Sequence, residues 1–272
     1  MDNLINLSGT AAKIRKGIVD SVFSAESGHP GGSLGCADII TYLYFKEMNI
    51  NPKDPKDPNR DRFVLSKGHC APALYAALAH RGFFPPEDLT TLRKPGSYLQ
   101  GHPSMNHTPG VDMSTGSLGQ GVSTACGMAL AAKVKGKQWR TYTLLGDGEI
   151  AEGQCWEAFM FASHYKLDNL CVIIDINGLQ IDGKTSNVMN SEPVCDKMRA
   201  FGFEVFECDG NNYDELDKAF TAAKSASGKP SCILAKTVKG KGVSFMENEA
   251  GWHGKAPNAD EYARAISELT NN

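Results

Sequence analysis

The stretch that decides the fold is 140-RTYTLLGDGEIAEGQCWEAFMFASHYKLDNLCVIIDINGL-179. Arg140 to Leu145 reads as a strand. Leu170 to Ile176 (LCVIIDI) is a near-continuous apolar run, the kind found where a parallel strand is buried on both faces. Between them, Ile150 to Tyr165 reads as a helix. The first strand runs into Gly146-Asp147-Gly148 and the second into Asn177-Gly178-Leu179. Ligands of open α/β sheets bind beyond the carboxyl ends of the strands, so both tripeptides lie where chemistry is expected. Asp147 and Asn177 offer hard oxygens of the type Mg2+ prefers. Gly146 and Gly148 leave room for a bulky anion, and a helix starting near Ile150 would aim its N-terminus at it. A carboxylate, an amide oxygen and a backbone carbonyl form an incomplete shell for a divalent cation, which diphosphate oxygens and water would complete. Either tripeptide alone is an ordinary turn; the two together, each after a buried strand, point to an anion-and-metal site.

Outward from this unit the alternation continues. Apolar residues at helical spacing predict helices over Ser8–Ala25, Ala37–Met48, Ala71–Ala79 and the small, apolar Gly119–Val134. Downstream, Lys197–Phe201 reads as helical, Glu204–Cys208 as a strand, Tyr213–Ser225 as a helix and Ser231–Thr237 as a strand. Strands alternating with helices predict an α/β fold, a mostly parallel sheet with helices on both faces. The run 51-NPKDPKDPNRDR-62 reads as a surface loop, because strong patterns resume on both sides.

Composition narrows the function classes. The chain has 272 residues, 41% hydrophobic and 22% charged, with a formal net charge of -3. That is globular, and it gives no electrostatic case for nucleic acid. No apolar run reaches the roughly 18 residues of a membrane helix. The opening MDNLINLSGT has no basic stretch followed by an apolar core, so no signal peptide is expected and the expected compartment is the cytoplasm. The eight cysteines form no C-x-x-C pair and no zinc spacing, so they read as buried, reduced thiols. No G-x-G-x-x-G follows a strand, which disfavours a dinucleotide or nucleotide module.

Gly146-Asp147-Gly148, with Asn177 thirty positions after Asp147, resembles the thiamine-diphosphate (ThDP) fingerprint. More narrowly, the chain resembles the N-terminal, diphosphate-binding part of a transketolase. The resemblance is carried by Ser27-Gly28-His29-Pro30-Gly31, Leu65-Ser66-Lys67-Gly68-His69, Gly101-His102-Pro103, Thr115-Gly116-Ser117-Leu118-Gly119-Gln120-Gly121 and Trp252-His253-Gly254, in the family order and over nearly the whole chain. It implies the three-layer ThDP-binding fold as a single domain over residues 1–272. It also implies Asp147 and Asn177 as metal ligands through side chains and Leu179 through its carbonyl, the metal being Mg2+ or, in its place, Ca2+ or Mn2+. Gly148, Lys67 and Lys239 would bear on the diphosphate, and Gly116 and Leu118 on the aminopyrimidine. His29 and His253 would handle protons on the reacting oxygens, His102 would bond a donor hydroxyl, and His69 would lie between diphosphate and substrate channel. Histidine suits such transfers because its reference pKa is about 6.5. His80, His107 and His164 fall outside the motifs and are not expected to take part. Glu152 and Glu157, both placed in the helix after the metal turn, would by resemblance lie at a contact between subunits.

In the family, the glutamate that activates the cofactor sits in a pyrimidine-binding domain that normally follows in the same chain. The expectation is therefore a split transketolase. This chain would be its N-terminal subunit, with a separate C-terminal subunit completing each site, two copies of each. The reaction would move a two-carbon ketol unit from a ketose phosphate to an aldose phosphate, with pentose phosphates as default sugars. Two alternatives stay open: the diphosphate half of a deoxyxylulose-phosphate synthase-like enzyme, and a non-catalytic ThDP-binding regulatory subunit. A 2-oxo acid dehydrogenase-like half is disfavoured by the histidine motifs.

Overall fold

A computed structural model describes residues 6–270. Met1 to Ile5, on which the absence of a signal peptide partly rests, lie outside the described residues, as do Asn271 and Asn272. The helices are α1 (Leu7–Ala25), α2 (Pro30–Gly35), α3 (Ala37–Tyr42), α4 (Ala71–Arg81), α5 (Gln120–Val134), α6 (Gly153–His164), α7 (Thr185–Val188), α8 (Val194–Ala200), α9 (Tyr213–Ser225) and α10 (Ala259–Thr270). The strands are β1 (Arg62–Leu65), β2 (Thr141–Gly146), β3 (Leu170–Ile176), β4 (Leu179–Gln180), β5 (Gly183–Lys184), β6 (Glu204–Asp209) and β7 (Ser231–Lys236). Five of them form one sheet in the order β1-β2-β3-β7-β6, every pair parallel. β4 and β5 make a separate antiparallel hairpin.

Successive residues of a strand point to opposite faces, and here each face has its own core. Phe63, Leu65, Tyr142, Leu144, Cys171, Ile173, Ile233 and Ala235 pack with α1, α3, α4 and α9. Val64, Leu145, Val172, Ile174, Cys232 and Leu234 pack with α5, α6 and α8. The expected three-layer α/β arrangement with a parallel sheet is therefore present, and the central strands are mostly apolar because they have no wet face. No helix among the described residues is long and apolar enough to cross a membrane.

Three local readings are corrected. The helix after β2 begins at Gly153, not near Ile150: a short 3-10 turn, Glu149–Ala151, intervenes, and Glu152 is extended (ψ 128°) as the residue before the helix. The turn forms because the Glu149 carboxylate folds inward onto backbone N–H groups instead of projecting from a helix. Secondly, the helix expected over Ala37–Met48 widens into a π-turn over Leu43–Glu47 after α3. Thirdly, the loop expected to run to Arg62 gives way there to the edge strand β1. α2 and α10 were not anticipated. Pro30 opens α2 at a position where its missing N–H costs nothing. Its glycines admit close neighbours: a Cβ on Gly31 would lie 2.9 Å from the Trp252 carbonyl oxygen, and one on Gly35 would lie 3.0 Å from that of Val238.

Candidate active site

β1, β2, β3 and β7 each deliver polar residues just past their carboxyl ends: Lys67, Asp147, Asn177 and Lys239. These line one cavity together with His29, His69, Gly116, Leu118, Gly148, Leu179 and His253. His102 stands beside it, its ring 3.1 Å from where a Cβ on Gly116 would be and 6.3 Å from that of His29. The rings of His29, His69 and His253 are mutually 5.1 to 5.3 Å apart. Residues singled out from separate sequence motifs are thus brought to one place. Glu152 and Glu157 are exposed and do not line this cavity, although Glu152 packs against Gly119 beside it. His107 instead pairs with Ser104 at 2.9 Å, His80 lies by Gly17 of α1, and His164 ends α6.

At the base of the site is a buried ion pair. The Lys67 ammonium lies 2.5 Å from an Asp175 carboxylate oxygen, with side-chain exposures of 2% and 0%. Asp175 also accepts hydrogen bonds from Thr237 Oγ1 and, at 3.2 Å, from Asn177 Nδ2. A carboxylate can only accept, so it fixes the Asn177 amide with nitrogen inward and Oδ1 on the other side. That Oδ1 accepts the Leu179 N–H at 3.1 Å. Lys67 is therefore no solvated surface lysine, and its charge is committed to Asp175. Asp175 was missed in the sequence, although a lone Asp inside the apolar run LCVIIDI was the available signal.

Asp147 is buried, and its two oxygens accept the Gly148 N–H at 2.8 Å and the Gly178 N–H at 2.6 Å. Burial, reinforced by the negative charge of Asp175, raises its carboxyl to about 6 despite those bonds. A carboxylate so disfavoured is one that a divalent cation would restore. With the Asn177 amide and Leu179 carbonyl oxygens close by, the donors are all hard oxygens, so the set fits Mg2+ better than a soft metal. Among the described residues no group of three His, Cys, Asp or Glu side chains could hold a metal, so any such ion takes part of its shell from backbone and ligand oxygens.

Burial also sets the histidines. It lowers His29 to about 4, with His69 as the next cause, and His253 to about 3, with the Lys239 ammonium as the next. His102 is lowered as well, by burial and then by Arg93. Lys239 Nζ donates to His253 Nδ1 at 3.1 Å and to the Leu179 carbonyl at 3.4 Å, and burial lowers its own pKa. That donation places the neutral His253 proton on Nε2. His29 Nδ1 is buried with no hydrogen-bond partner.

A family model described as "Transketolase, thiamine diphosphate binding domain" matches residues 8–272. The chain belongs to the transketolase family. It is 48% identical over 265 residues to a subunit of the 6-deoxy-6-sulfo-D-fructose transketolase of Clostridium sp. (strain MSTE9), covering 97% of this chain and 96% of that one. It is 45% identical over 258 residues to a subunit of the apulose-4-phosphate transketolase of Phocaeicola vulgatus, covering 95% and 92%. Among solved structures, the transketolase from Leishmania mexicana superposes with a TM-score of 0.92 at 36% identity, covering 98% of this chain but 42% of that one. The chain thus has nearly the length of the two transketolase subunits, and about two fifths that of the solved transketolase.

This geometry has two measurable consequences. Lys67→Ala leaves the Asp175 carboxylate buried without its cation and should cost about 3–5 kcal/mol in urea unfolding; the paired change Lys67→Met with Asp175→Asn should cost less. The second concerns pH. His29 and His253 titrate at about 4 and about 3 when folded, against 6.5 when unfolded. Between those values the unfolded chain binds more protons, so their contribution to stability is present near neutrality and lost as pH falls from 6.5 towards 4 for His29 and towards 3 for His253. Asp147, raised to about 6, works in the opposite direction. Replacing both histidines by asparagine should therefore shrink the loss of urea midpoint between neutral and mildly acidic pH.

Proposed function

We propose that this chain is the ThDP-binding subunit of a two-subunit transketolase and that residues 1–272 form one diphosphate-type domain. The observation that carries the reading is the near full-length match to two transketolase subunits, in a chain whose cavity gathers the motif residues. A complementary subunit with the pyrimidine-binding domain completes each site, in an assembly of two copies of each chain. Glu152 and Glu157, exposed at the start and on the outer face of α6, then serve the contact between copies.

In this reading Asp147, Asn177 and the Leu179 carbonyl hold Mg2+, and Gly148 and Lys239 bear on the diphosphate. Lys67 acts at one remove, by fixing Asp175 and through it Asn177. Gly116 and Leu118 flank the aminopyrimidine. Bound ThDP supplies the nucleophilic carbon and the electron sink for the ketol unit. The chain's own part is to orient the cofactor and to move protons. His29 and His253, both neutral at working pH, accept or donate a proton at the substrate's carbonyl and hydroxyl oxygens. His102 hydrogen-bonds the donor's terminal hydroxyl, and His69 spans the gap between diphosphate and substrate. The four histidines favour catalysis over a purely regulatory ThDP-binding role, which needs no proton-transfer groups. The names of the relatives widen the candidate donors beyond pentose phosphates to 6-deoxy-6-sulfofructose and apulose-4-phosphate.

The test is reconstitution. The purified chain alone should show no ketol transfer; mixed with its complementary subunit, ThDP and Mg2+, it should turn over one of these donors, and EDTA should stop it. Robust turnover by the chain alone would remove the need for a partner. Release of carbon dioxide from pyruvate with glyceraldehyde phosphate would move the chain to the synthase-like alternative. Separately, Asp147→Ala should abolish Mg2+-dependent ThDP binding in calorimetry while the circular dichroism spectrum stays that of wild type. Unchanged ThDP affinity would take Asp147 out of the metal shell.

A further inference from the structure

We propose that Glu149 is a positioning residue, a buried carboxylate that clamps three separate cofactor-binding segments to one another. This rests on the ThDP reading given above. Glu149 is 3% exposed and begins the turn that replaces the expected first turn of α6. Its Oε1 accepts the Ser66 hydroxyl at 2.5 Å and the Gly119 N–H at 3.0 Å; its Oε2 accepts the Gly146 N–H at 3.1 Å. Ser66 directly precedes Lys67. Gly119 closes the segment carrying Gly116 and Leu118. Gly146 directly precedes Asp147. These partners lie 83, 30 and 3 positions from Glu149 along the chain.

The residue type follows from the partners. Two backbone N–H groups and a hydroxyl converge on one side chain, so that side chain must accept at both of its ends. A carboxylate does so at both oxygens, and hydrogen bonds to a charged acceptor are roughly twice as strong as neutral ones. Glutamine cannot reproduce the pattern. With its carbonyl oxygen at the Oε1 position it keeps Ser66 and Gly119, but it turns an NH2 group onto the Gly146 N–H. Glu149 borders the cavity, but both of its carboxylate oxygens are taken up by Ser66, Gly119 and Gly146, so its effect on the cofactor passes through the segments it ties.

The test uses the full chain with its complementary subunit, comparing wild type, Glu149→Gln and Ser66→Ala. ThDP affinity is measured at saturating Mg2+, kcat at saturating ThDP, and amide hydrogen exchange at Gly119 and Gly146. In Glu149→Gln, exchange at Gly146 should accelerate about tenfold or more with Gly119 changed by less than about threefold, and the ThDP Kd should rise about tenfold or more with kcat reduced by less than about threefold. Ser66→Ala removes one neutral donor and should raise Kd about threefold with both amides still protected. A merely structural glutamate would lower thermal stability without moving Kd apart from kcat. The proposal is overturned by a Glu149→Gln Kd within about twofold of wild type, or by a Kd rise without faster exchange at Gly146. Where Glu149→Gln does not fold, an unchanged Kd in Ser66→Ala overturns it. A wild-type complex that binds no ThDP overturns the functional reading and this inference with it, whatever the exchange shows.

Discussion

The ion pair between Lys67 and Asp175 is the interaction on which the rest of the site depends. Both charges are almost wholly out of water, and ions without partners are costly to bury. Lys67 follows β1 and Asp175 lies in β3, so the pair reaches across β2, the strand between them. It thereby sets the spacing of three adjacent strand ends. Asp175 then orients Asn177 from one side, bonds Thr237 at the end of β7 from the other, and adds to the burial that raises the Asp147 carboxyl. One buried carboxylate fixes the geometry and the electrostatics of the residues around it.

Such a cluster of polar groups can sit at a sheet edge only because the sheet below is dry on both faces. Alternate residues of β1, β2, β3 and β7 go to two separate cores, leaving the carboxyl ends as the place where the chain can put polar groups. The glycine-lined α2 carries the same logic to the histidines. With no side chains at Gly31 and Gly35, the Trp252 segment and the Val238–Lys239 loop pack against it. His29, at the head of α2, is thereby set 5.3 Å from His253, ring to ring.

Much of this was legible in the sequence, for identifiable reasons. β3 and α9 have the bounds expected of them, since a long apolar run and a clean 3.6-residue period leave little choice. The motif residues were legible as single positions, and their meeting in one cavity is what the topology adds. β1 was lost because its four residues follow a Pro- and Asp-rich loop, and α2 because glycine hides its helical pattern. The fate of Glu149 and Glu152 was not legible. Their spacing suits a helix, and what breaks the helix is a set of bonds from Glu149 to Gly119, Ser66 and Gly146, two of them long-range, that no local pattern contains. The burial of Lys67 was not legible either, because it depends on Asp175, a partner 108 positions away in the chain.

The histidine cluster shows what burial contributes beyond packing. A histidine near its ordinary pKa is a mixture of charged and neutral forms, and neighbouring cations at this spacing would repel one another. Desolvation removes that difficulty for His29 and His253 by holding both neutral. A neutral imidazole carries one donor and one acceptor nitrogen, so it can give a proton at one atom and take one at another. Which atom does which is then set by neighbours: Lys239 occupies Nδ1 of His253, leaving Nε2 to donate. His29 keeps a buried Nδ1 without a protein partner, an atom left able to meet a substrate oxygen or a proton. The same exclusion of water that holds these imidazoles neutral would, in the proposed reaction, keep their proton transfers selective, so the electrostatics of these strand ends and the chemistry proposed for them share one cause.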